Sequence, residues 1–351
     1  MDSLGINMTG DSAGTQYCFP HLERSCPQSQ TFIIIKAAMY MFMAFSILMT
    51  VCGNLLVIIS ISHFKQLHSP TNLLVLSLAC IDWFLGAVIM PGSMIRTVEN
   101  CWYYGEAACI IFSSFDMMMS IASILHLCLI SVDRYCAICK PFWYRSSVTM
   151  QKVACVIVII WTFSFGFGFG VFLSNFPLAD LEEFVMASPC VGNCVLVIKG
   201  EWGVGSAVLS FFVPGIVMTS LYLKIFYVAR SHARKINDSL ALTGAVYNHK
   251  DHMSEQREKK AAKTLGIVMG VFLLCWLPFF LTVIIETLHH FPNIFFVLDL
   301  LLWLGYLNST CNPLIYGFFY SWFQTVFKMI ISGKVFHSGS SSFNIGTDHF
   351  K

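Results

Sequence analysis

Residues 106–138 read EAACIIFSSFDMMMSIASILHLCLISVDRYCAI, and this stretch decides the fold class. Between Glu106 and Asp133 the only charged side chain is Asp116. A helix of about 20 apolar residues crosses the hydrocarbon core of a bilayer, because each residue advances it by about 1.5 Å. The stretch therefore predicts a membrane-spanning helix with one ionisable group inside it.

The composition of the whole chain agrees with a membrane protein. Of 351 residues, 56% are hydrophobic and only 11% are charged, and the mean hydropathy is +0.70. A soluble domain is about a quarter charged, because charge keeps a packed surface in water. The apolar runs are far longer than the ~10-residue alternating segments of a transmembrane barrel, so a barrel is excluded.

Seven apolar segments follow a polar tail and predict an all-α bundle of seven transmembrane helices. We place the tail at 1–32, the bundle at 33–319, an amphipathic helix on the membrane surface at 320–331 and a cytoplasmic tail at 332–351. No internal repeat indicates the two halves of a transporter. The spans lie at about 33–62, 70–93, 106–138, 149–173, 203–229, 261–288 and 294–319.

The distribution of charge predicts the orientation in the plasma membrane. With the N-terminus outside, the outer segments hold 4 of the 21 basic residues and 11 acidic ones, a balance of −7. Basic residues concentrate on the cytoplasmic side, so we expect an extracellular N-terminus and an outer face that attracts cations. Asn7-Met8-Thr9 in that tail is the predicted glycosylation site. The four outer basic residues are Arg24, Lys36, Arg96 and Lys199.

Asp116 is the leading functional candidate, because an ionisable group inside a span costs a few kcal/mol on insertion scales. One interpretation is a polar residue that pairs two helices. The other is a counter-ion for a ligand ammonium, since a buried carboxylate is neutralised only by a matching cation or a proton. No Lys or Arg is expected at membrane depth in the other spans, so an external cation is the favoured partner.

Asp133-Arg134-Tyr135 lies roughly 25 Å below Asp116 along the same helix. Adjacent unlike charges at a membrane boundary can be an ordinary snorkelling pair. The alternative is a switch, in which the arginine is held by its neighbouring aspartate in one state and released to a partner protein in another. With the other signals in the chain, we favour the switch.

Two spans carry prolines, and three spans carry polar groups near mid-membrane. Pro278 in span six and Pro313 in span seven break the helical ladder and predict kinks. Asn54, Asp82 and Asn312 place polar groups in spans one, two and seven. A water molecule or a sodium ion near Asp82 would satisfy all three, and we expect no other cofactor.

Together these motifs resemble the span-by-span pattern of rhodopsin-like G-protein-coupled receptors, and all seven spans match. The position of Asp116, one helix length above Asp133-Arg134-Tyr135, is similar to the aminergic branch, in which that carboxylate binds the ligand amine. The matching residues are Asn54, Leu78-Ala79-Cys80-Ile81-Asp82, Asp133-Arg134-Tyr135, Trp161, Pro214 with Tyr222, Cys275-Trp276-Leu277-Pro278 and Asn312-Pro313-Leu314-Ile315-Tyr316.

Residues 308–323, NSTCNPLIYGFFYSWF, resemble more narrowly the fingerprint of the trace amine-associated receptors, and 63–72, 99–106 and 259–280 are similar to the same family. The resemblance implies a receptor for small protonated amines. Most members are olfactory receptors for volatile amines that act through a stimulatory G protein and raise cAMP. The implied activation switch comprises Asp82, Asp133, Arg134, Tyr135, Tyr222, Trp276, Pro278, Asn312, Pro313 and Tyr316.

The resemblance also implies a ligand site around Asp116, where the ammonium would pair with the carboxylate. Tyr306 would hold the carboxylate, aromatic side chains would cage the apolar part of the ligand, and two residues of the second outer loop would form a lid. The implied contacts are Asp116, Met117, Ser120, Val195, Leu196, Ser206, Trp276, Phe279, Phe280, Trp303 and Tyr306.

A second ammonium would need a second acid. Some diamine-sensing members carry one at the position of Ser206, so its absence here favours a monoamine. Glu201, Glu286 and Asp299 are the alternative, either as a second-amine site at the rim of the pocket or as solvated loop charges.

Six cysteines lie in the predicted outer segments, where disulfides persist. The resemblance pairs Cys109 with Cys194 and leaves Cys190 to tie down the N-terminal tail. By analogy Cys18 is favoured over Cys26 as the partner of Cys190, although the sequence alone leaves that choice open.

Rival functions differ in what they predict. A neurotransmitter-type amine receptor shares Asp116, and a transporter would also use a buried carboxylate, but seven spans without a repeat disfavour transport. We expect no enzyme, because the spans hold no buried nucleophile with a histidine partner. We also expect no metal site, because His289-His290 alone cannot complete a coordination shell.

The expected partners are an amine, a G protein and membrane lipid, without nucleic acid.

Overall fold

The computed structural model describes residues 16–173, 190–194, 200–243, 249–289, 295–319 and 321–333. Within these ranges seven long helices pack side by side. A short loop helix, Pro141–Ser147, follows the third helix, and a terminal helix, Ser321–Ile331, follows the seventh. The seven are, in order, Ile33–His63, Pro70–Glu99, Glu106–Cys139, Met150–Leu173, Gly200–Ala207 continuing as Val208–Phe212 and Val213–Thr243, His249–His289, and Phe295–Phe319.

In the described part of the chain the first six of these helices are long and apolar enough to cross a membrane. The seventh is less apolar because it carries the polar run Asn308-Ser309-Thr310-Cys311-Asn312. Asn308, Ser309 and Asn312 are buried, and the helix packs against the first and sixth helices. Its polar side chains therefore face protein, and the fold is the predicted all-α seven-helix bundle.

The second helix begins with a defined cap and is bent near its middle. Ser69 accepts a hydrogen bond from the backbone N–H of Asn72 at 3.2 Å, and Pro70 occupies the first turn, where its missing N–H costs nothing. Residues Leu85–Ile89 form a wide turn of π-helical type just before Pro91. Such turns change the direction in which the following helical segment and its side chains point.

The segment after this turn continues as a helix to Glu99, six residues beyond the predicted end of the span at residue 93. Ser93, Arg96 and Thr97 share one face at helical spacing, and all three are buried in the bundle. The second helix therefore brings a guanidinium into the bundle interior, where the sequence analysis expected no basic side chain.

The third helix is central and packs against the second, fourth and fifth helices. Its contact with the fourth helix is close because residue 168 is glycine. A Cβ atom at Gly168 would lie 2.8 Å from the backbone oxygen of Ser114 and 2.9 Å from Cβ of Met118. Only a residue without a side chain allows the two helix backbones to approach this closely.

Three disulfides define one end of the bundle, here called the disulfide end. They join Cys18 to Cys101, Cys26 to Cys190, and Cys109 to Cys194. Cys109–Cys194 is the pair that the sequence analysis expected. The six cysteines thus tie the tail, the loop before the third helix and the segment 190–194 into one cap.

The expected Cys18–Cys190 pair is wrong, and Cys26 takes the place of Cys18. The reason is the path of the tail, which runs beside Val191: the backbone N–H of Val191 donates to the oxygen of Arg24 at 2.7 Å, and that of Cys26 donates to the oxygen of Val191 at 2.9 Å. This ladder places Cys26 next to Cys190 and leaves Cys18 beside Cys101.

Replacing Gly168 by alanine should destabilise the bundle by about 1–3 kcal/mol, because the new methyl group overlaps the third helix. Thermal unfolding of the purified protein in detergent measures the effect as a fall in Tm. Gly166→Ala is the matched control, since the same change two residues earlier meets no atom within 4 Å. Equal Tm values for the two variants would contradict the close backbone contact.

Candidate functional site

A cavity of about 220 Å³ lies near the disulfide end, with Cys194 in its wall. It is bounded mainly by the third, fifth, sixth and seventh helices, and most of its walls are apolar. Its lining comprises Arg96, Ser113, Asp116, Met117, Ser120, Ile121, Ile124, Cys194, Gly203, Ser206, Ala207, Ser210, Trp276, Phe279, Phe280, Val283, Leu298, Asp299 and Leu302.

Asp116 is the acidic side chain of the third helix that faces this cavity, and it is 9% exposed. Its Oδ2 accepts a hydrogen bond of 2.7 Å from the hydroxyl of Tyr306. Its Oδ1 is buried and has no hydrogen-bond partner among the described residues. One carboxylate oxygen is thus fixed in position while the other is available to a ligand, and a cationic donor is its natural complement.

Aromatic rings of the sixth helix line part of the cavity, and a ring of the fifth helix packs against them. Phe280 stacks on Phe211 with ring centroids 4.6 Å apart, and Trp276 lies 5.8 Å from Phe280 and 6.2 Å from Phe279. Trp276 also touches the seventh helix, where a Cβ atom on Gly305 would lie 2.7 Å from its ring. The walls can therefore hold an apolar ligand body, and their faces attract a cation.

Six of the implied contacts besides Asp116 line the cavity, and others do not. Trp303 does not line the cavity: its indole N–H donates to Thr97 at 3.2 Å, and its ring packs edge-on against Tyr306 at 5.6 Å. It supports Tyr306 from behind and is no part of the expected cage. Val195 and Leu196, like the glycosylation candidate Asn7, lie outside the described residues. The six that line the cavity are Met117, Ser120, Ser206, Trp276, Phe279 and Phe280.

Arg96 is a site residue that the sequence analysis missed. It is 8% exposed, lines the cavity, and donates from Nη2 to Oδ1 of Asp299 at 3.2 Å and to the hydroxyl of Ser93 at 3.4 Å. The predicted span ends at residue 93, which places Arg96 in an outer loop. The spacing of Ser93, Arg96 and Thr97 on one helix face was the signal that could have found it.

The three acids that were candidates for a second-amine site at the pocket rim lie in different surroundings. Asp299 is a cavity residue paired with Arg96, so it is no solvated loop charge. Glu286 is partly exposed near the end of the sixth helix and does not appear in the described cavity lining. Glu201 falls in Gly200–Ala207, and its side chain lies outside the described part of the structure.

At the opposite end of the bundle, Asp133 organises a second polar cluster. Its Oδ1 accepts from the hydroxyl of Tyr144 at 2.6 Å, and its Oδ2 accepts from Thr71 at 2.8 Å and from Nε of Arg134 at 3.1 Å. Burial and the hydrogen bond to Asp133 raise the pKa of Tyr144, so its hydroxyl keeps the proton that it donates. Arg134 also contacts Thr71, and the structure thus presents the held form of the arginine.

The remaining residues of the predicted switch lie in three places. Tyr135 and Tyr222 pack around the buried Ile225, and Tyr222 abuts Gly266 of the sixth helix. Tyr316 belongs to a separate apolar cluster with Val57 and Phe323. Pro278 and Pro313 lie inside the sixth and seventh helices as expected.

The mid-membrane polar groups converge on Asp82, which is fully buried. Its carboxylate accepts from Ser123 at 3.2 Å, from Ser309 at 2.7 Å and from the amide of Asn312 at 2.7 Å. Asn54 donates to the backbone oxygen of Ser309 at 3.2 Å, and its own amide oxygen is buried without a partner in the described part of the chain. The first, second, third and seventh helices are tied together at this point.

Comparisons with known proteins identify the family. The model described as "7 transmembrane receptor (rhodopsin family)" matches residues 53–316. Trace amine-associated receptor 4 of Rattus norvegicus is 45% identical over 338 residues, 96% of this chain and 97% of the relative. Trace amine-associated receptor 2 of Homo sapiens is 46% identical over 323 residues, 92% of this chain and 89% of that protein. Trace amine-associated receptor 3 of Mus musculus is 47% identical over 323 residues, 92% of this chain and 93% of that protein.

The rhodopsin-family model matches most of the chain, and the alignments cover these relatives almost completely. Asp116 and Arg134 therefore belong to a receptor and not to an enzyme. The chain belongs to the trace amine-associated receptors, a group of G-protein-coupled receptors of the rhodopsin family.

Proposed function

We propose that the chain is a receptor for small protonated amines. The observation that carries the proposal is Oδ1 of Asp116, a buried carboxylate oxygen without a described partner in the wall of a largely apolar cavity. An ammonium would satisfy that oxygen, while Trp276, Phe279 and Phe280 would contact the ligand body. The names of these related receptors agree with this ligand class.

For the orientation we propose that the disulfide end faces the outside of the cell. Disulfides persist in oxidising compartments, and this end carries all three described disulfides. The cavity then opens towards the extracellular amine, and the Asp133–Arg134 cluster faces the cytoplasm. Glycosylation at Asn7 follows as a proposal from the same orientation.

The response would pass from Trp276 through the sixth helix to the cytoplasmic end. Trp276 lies two residues from Pro278, where the helix lacks a backbone hydrogen bond, so movement there costs less than elsewhere. Phe142 is 90% exposed in the loop helix beside Asp133, and an exposed apolar side chain at this position suits contact with a G protein.

A stimulatory G protein, a rise in cAMP and an olfactory role are proposed from the family resemblance. A neurotransmitter-type amine receptor is the alternative, and it would share the chemistry of Asp116. Expression in olfactory sensory neurons would favour the first, whereas expression confined to other neurons would favour the second.

A sodium ion near Asp82 is a further proposal. The carboxylate has about four acceptor positions, of which three are used by Ser123, Ser309 and Asn312. The unpartnered amide oxygen of Asn54 and the remaining position on Asp82 are hard oxygen donors, which suit a small cation. The ion would supply the positive charge that a fully buried carboxylate otherwise lacks.

Asp116→Asn should reduce amine affinity at least about 100-fold, because it keeps the shape of the side chain but removes the charge that pairs with the ammonium. Cells expressing the variant are assayed for cAMP against a panel of primary, secondary and tertiary amines, with surface expression measured in parallel. Glu106→Gln is the control, since it neutralises an exposed acid of the same helix outside the cavity. A normal amine response from Asp116→Asn at the surface would refute the proposal.

Tyr306→Phe should weaken amine binding by about tenfold, because the 2.7 Å hydrogen bond that orients the carboxylate is lost. Ligand-dependent thermal stabilisation of the purified receptor measures the affinity. Tyr40→Phe removes the same hydroxyl from a 2.8 Å bond to Glu99 outside the cavity, so its affinity should stay at the wild-type value. Equal affinities in both variants would mean that Tyr306 does not position Asp116.

Tyr144→Phe should raise signalling in the absence of ligand by about fivefold, because the held form of Arg134 loses one of the hydrogen bonds that fix Asp133. Nucleotide exchange on an added G protein, measured with purified receptor, reports the basal activity. Ser146→Ala, which also removes one hydroxyl but from an exposed residue of the same loop helix that does not contact Asp133, serves as the control. An unchanged basal rate in Tyr144→Phe would show that this hydrogen bond does not restrain the switch.

A further inference from the structure

We propose that Arg96 sets the charge of the ligand cavity and thereby selects ligands that carry a single positive charge. The inference rests on the proposed amine-receptor function and deepens it, because it concerns which amines the cavity accepts. Its basis is the pairing of Arg96 with Asp299 and the hydrogen-bonded chain from Arg96 to Asp116.

Three charged side chains occur among the described residues that line the cavity: Asp116, Arg96 and Asp299. Arg96 and Asp299 form an ion pair at 3.2 Å with side-chain exposures of 9% and 19%. Because both members are largely removed from water, each depends on the other for compensation. Asp116 is left as the one carboxylate without an opposite charge in contact, so the cavity has room for one cation.

The two acids are joined by a continuous chain of hydrogen bonds. Arg96 donates to the hydroxyl of Ser93 at 3.4 Å, and that hydroxyl lies 3.2 Å from the hydroxyl of Tyr306. Tyr306 has a single hydroxyl proton, which it donates to Asp116, so Ser93 must donate to Tyr306. Every donor in the chain therefore points from the guanidinium towards Asp116, and this arrangement stabilises the negative charge of Asp116.

A diamine meets a specific obstacle in this cavity. Its first ammonium can pair with Asp116, but the other acid in the described lining, Asp299, already holds Arg96. The second ammonium would have to displace the guanidinium or remain beside it without a counter-charge, and either arrangement costs free energy. A second acid is thus present in the cavity, but Arg96 neutralises it.

The competing interpretation is that Arg96 and Asp299 merely tie the second helix to the seventh. The two interpretations predict different signs. If the pair is only structural, removing either member breaks the same contact, and both single variants should change binding in the same direction. If Arg96 sets the charge, the two single variants should have opposite effects on cation affinity, because one makes the cavity more negative and the other less.

The experiment compares Arg96→Gln, Asp299→Asn and the double variant with the wild type. Purified receptors are titrated with n-alkylamines of four to eight carbons and with the α,ω-diamines of equal length. The ligand concentration that gives half of the maximal thermal stabilisation is measured. This readout reports binding and does not depend on which G protein the receptor uses. Gln keeps an amide donor for Ser93 and Asp299 while removing the charge.

In the wild type we expect each monoamine to bind more tightly than the diamine of the same length. Arg96→Gln should improve diamine binding relative to monoamine binding by on the order of tenfold, because Asp299 becomes available. Asp299→Asn should weaken monoamine binding by a similar factor, since Arg96 then opposes the incoming cation. The double variant should return to within about threefold of the wild type for monoamines and lose the gain for diamines.

Shifts of both single variants in the same direction, or a diamine-to-monoamine ratio that Arg96→Gln leaves unchanged, would overturn the inference. If Arg96→Gln does not fold, Asp299→Asn and the double variant decide: an unweakened monoamine affinity in the first, or no recovery in the second, also overturns it. A wild-type receptor that binds no amine at all would instead refute the proposed function, and with it this inference.

Discussion

The hydrogen bond between Tyr306 and Asp116 is the contact on which the disulfide half of the bundle depends. A carboxylate inside a membrane protein is tolerated only where donors or a counter-charge compensate it. Tyr306 supplies one donor, and Trp303 packs against its ring while bonding to Thr97 of the second helix. The position of Asp116 is thus tied to three helices, and under the proposed function an amine would meet a carboxylate whose geometry is set before binding.

Close helix packing makes this geometry stiff. Without a strong hydrophobic force between helices inside lipid, small residues at helix contacts allow the van der Waals contact and interhelical hydrogen bonds that hold a bundle together. Gly168 lets the fourth helix approach the backbone of the third, and Gly305 receives the ring of Trp276. Trp276 thus belongs both to the cavity wall and to the contact between the sixth and seventh helices.

The sequence was sufficient to predict the fold and the place of Asp116 inside the third helix, but not the charged side chains that share its cavity. The number of long apolar runs gives the number of helices directly, because an apolar run of this length satisfies its backbone hydrogen bonds in lipid only as a helix. Arg96 was placed in a loop, since a basic residue near a span boundary usually lies in water, and composition cannot report that the helix continues to Glu99 behind the wide turn at Leu85–Ile89. The Cys26–Cys190 pair was missed for a similar reason, because the path of the tail depends on backbone hydrogen bonds to Val191.

In the proposed mechanism, Trp276 is the residue through which ligand binding in the cavity would reach the rest of the molecule. Its ring lines the cavity, and its contact with Gly305 leaves no space for rotation towards the seventh helix. In that mechanism, a ligand that presses on the ring would move the sixth helix or separate it from the seventh, and Pro278 is where the sixth helix bends most easily. Because Tyr222 of the fifth helix abuts Gly266, farther along the sixth helix, such movement would also disturb the packing around Tyr135 and Ile225. Two packed arrangements of one helix are sufficient to couple the ends of the bundle, and no continuous chain of polar contacts is needed.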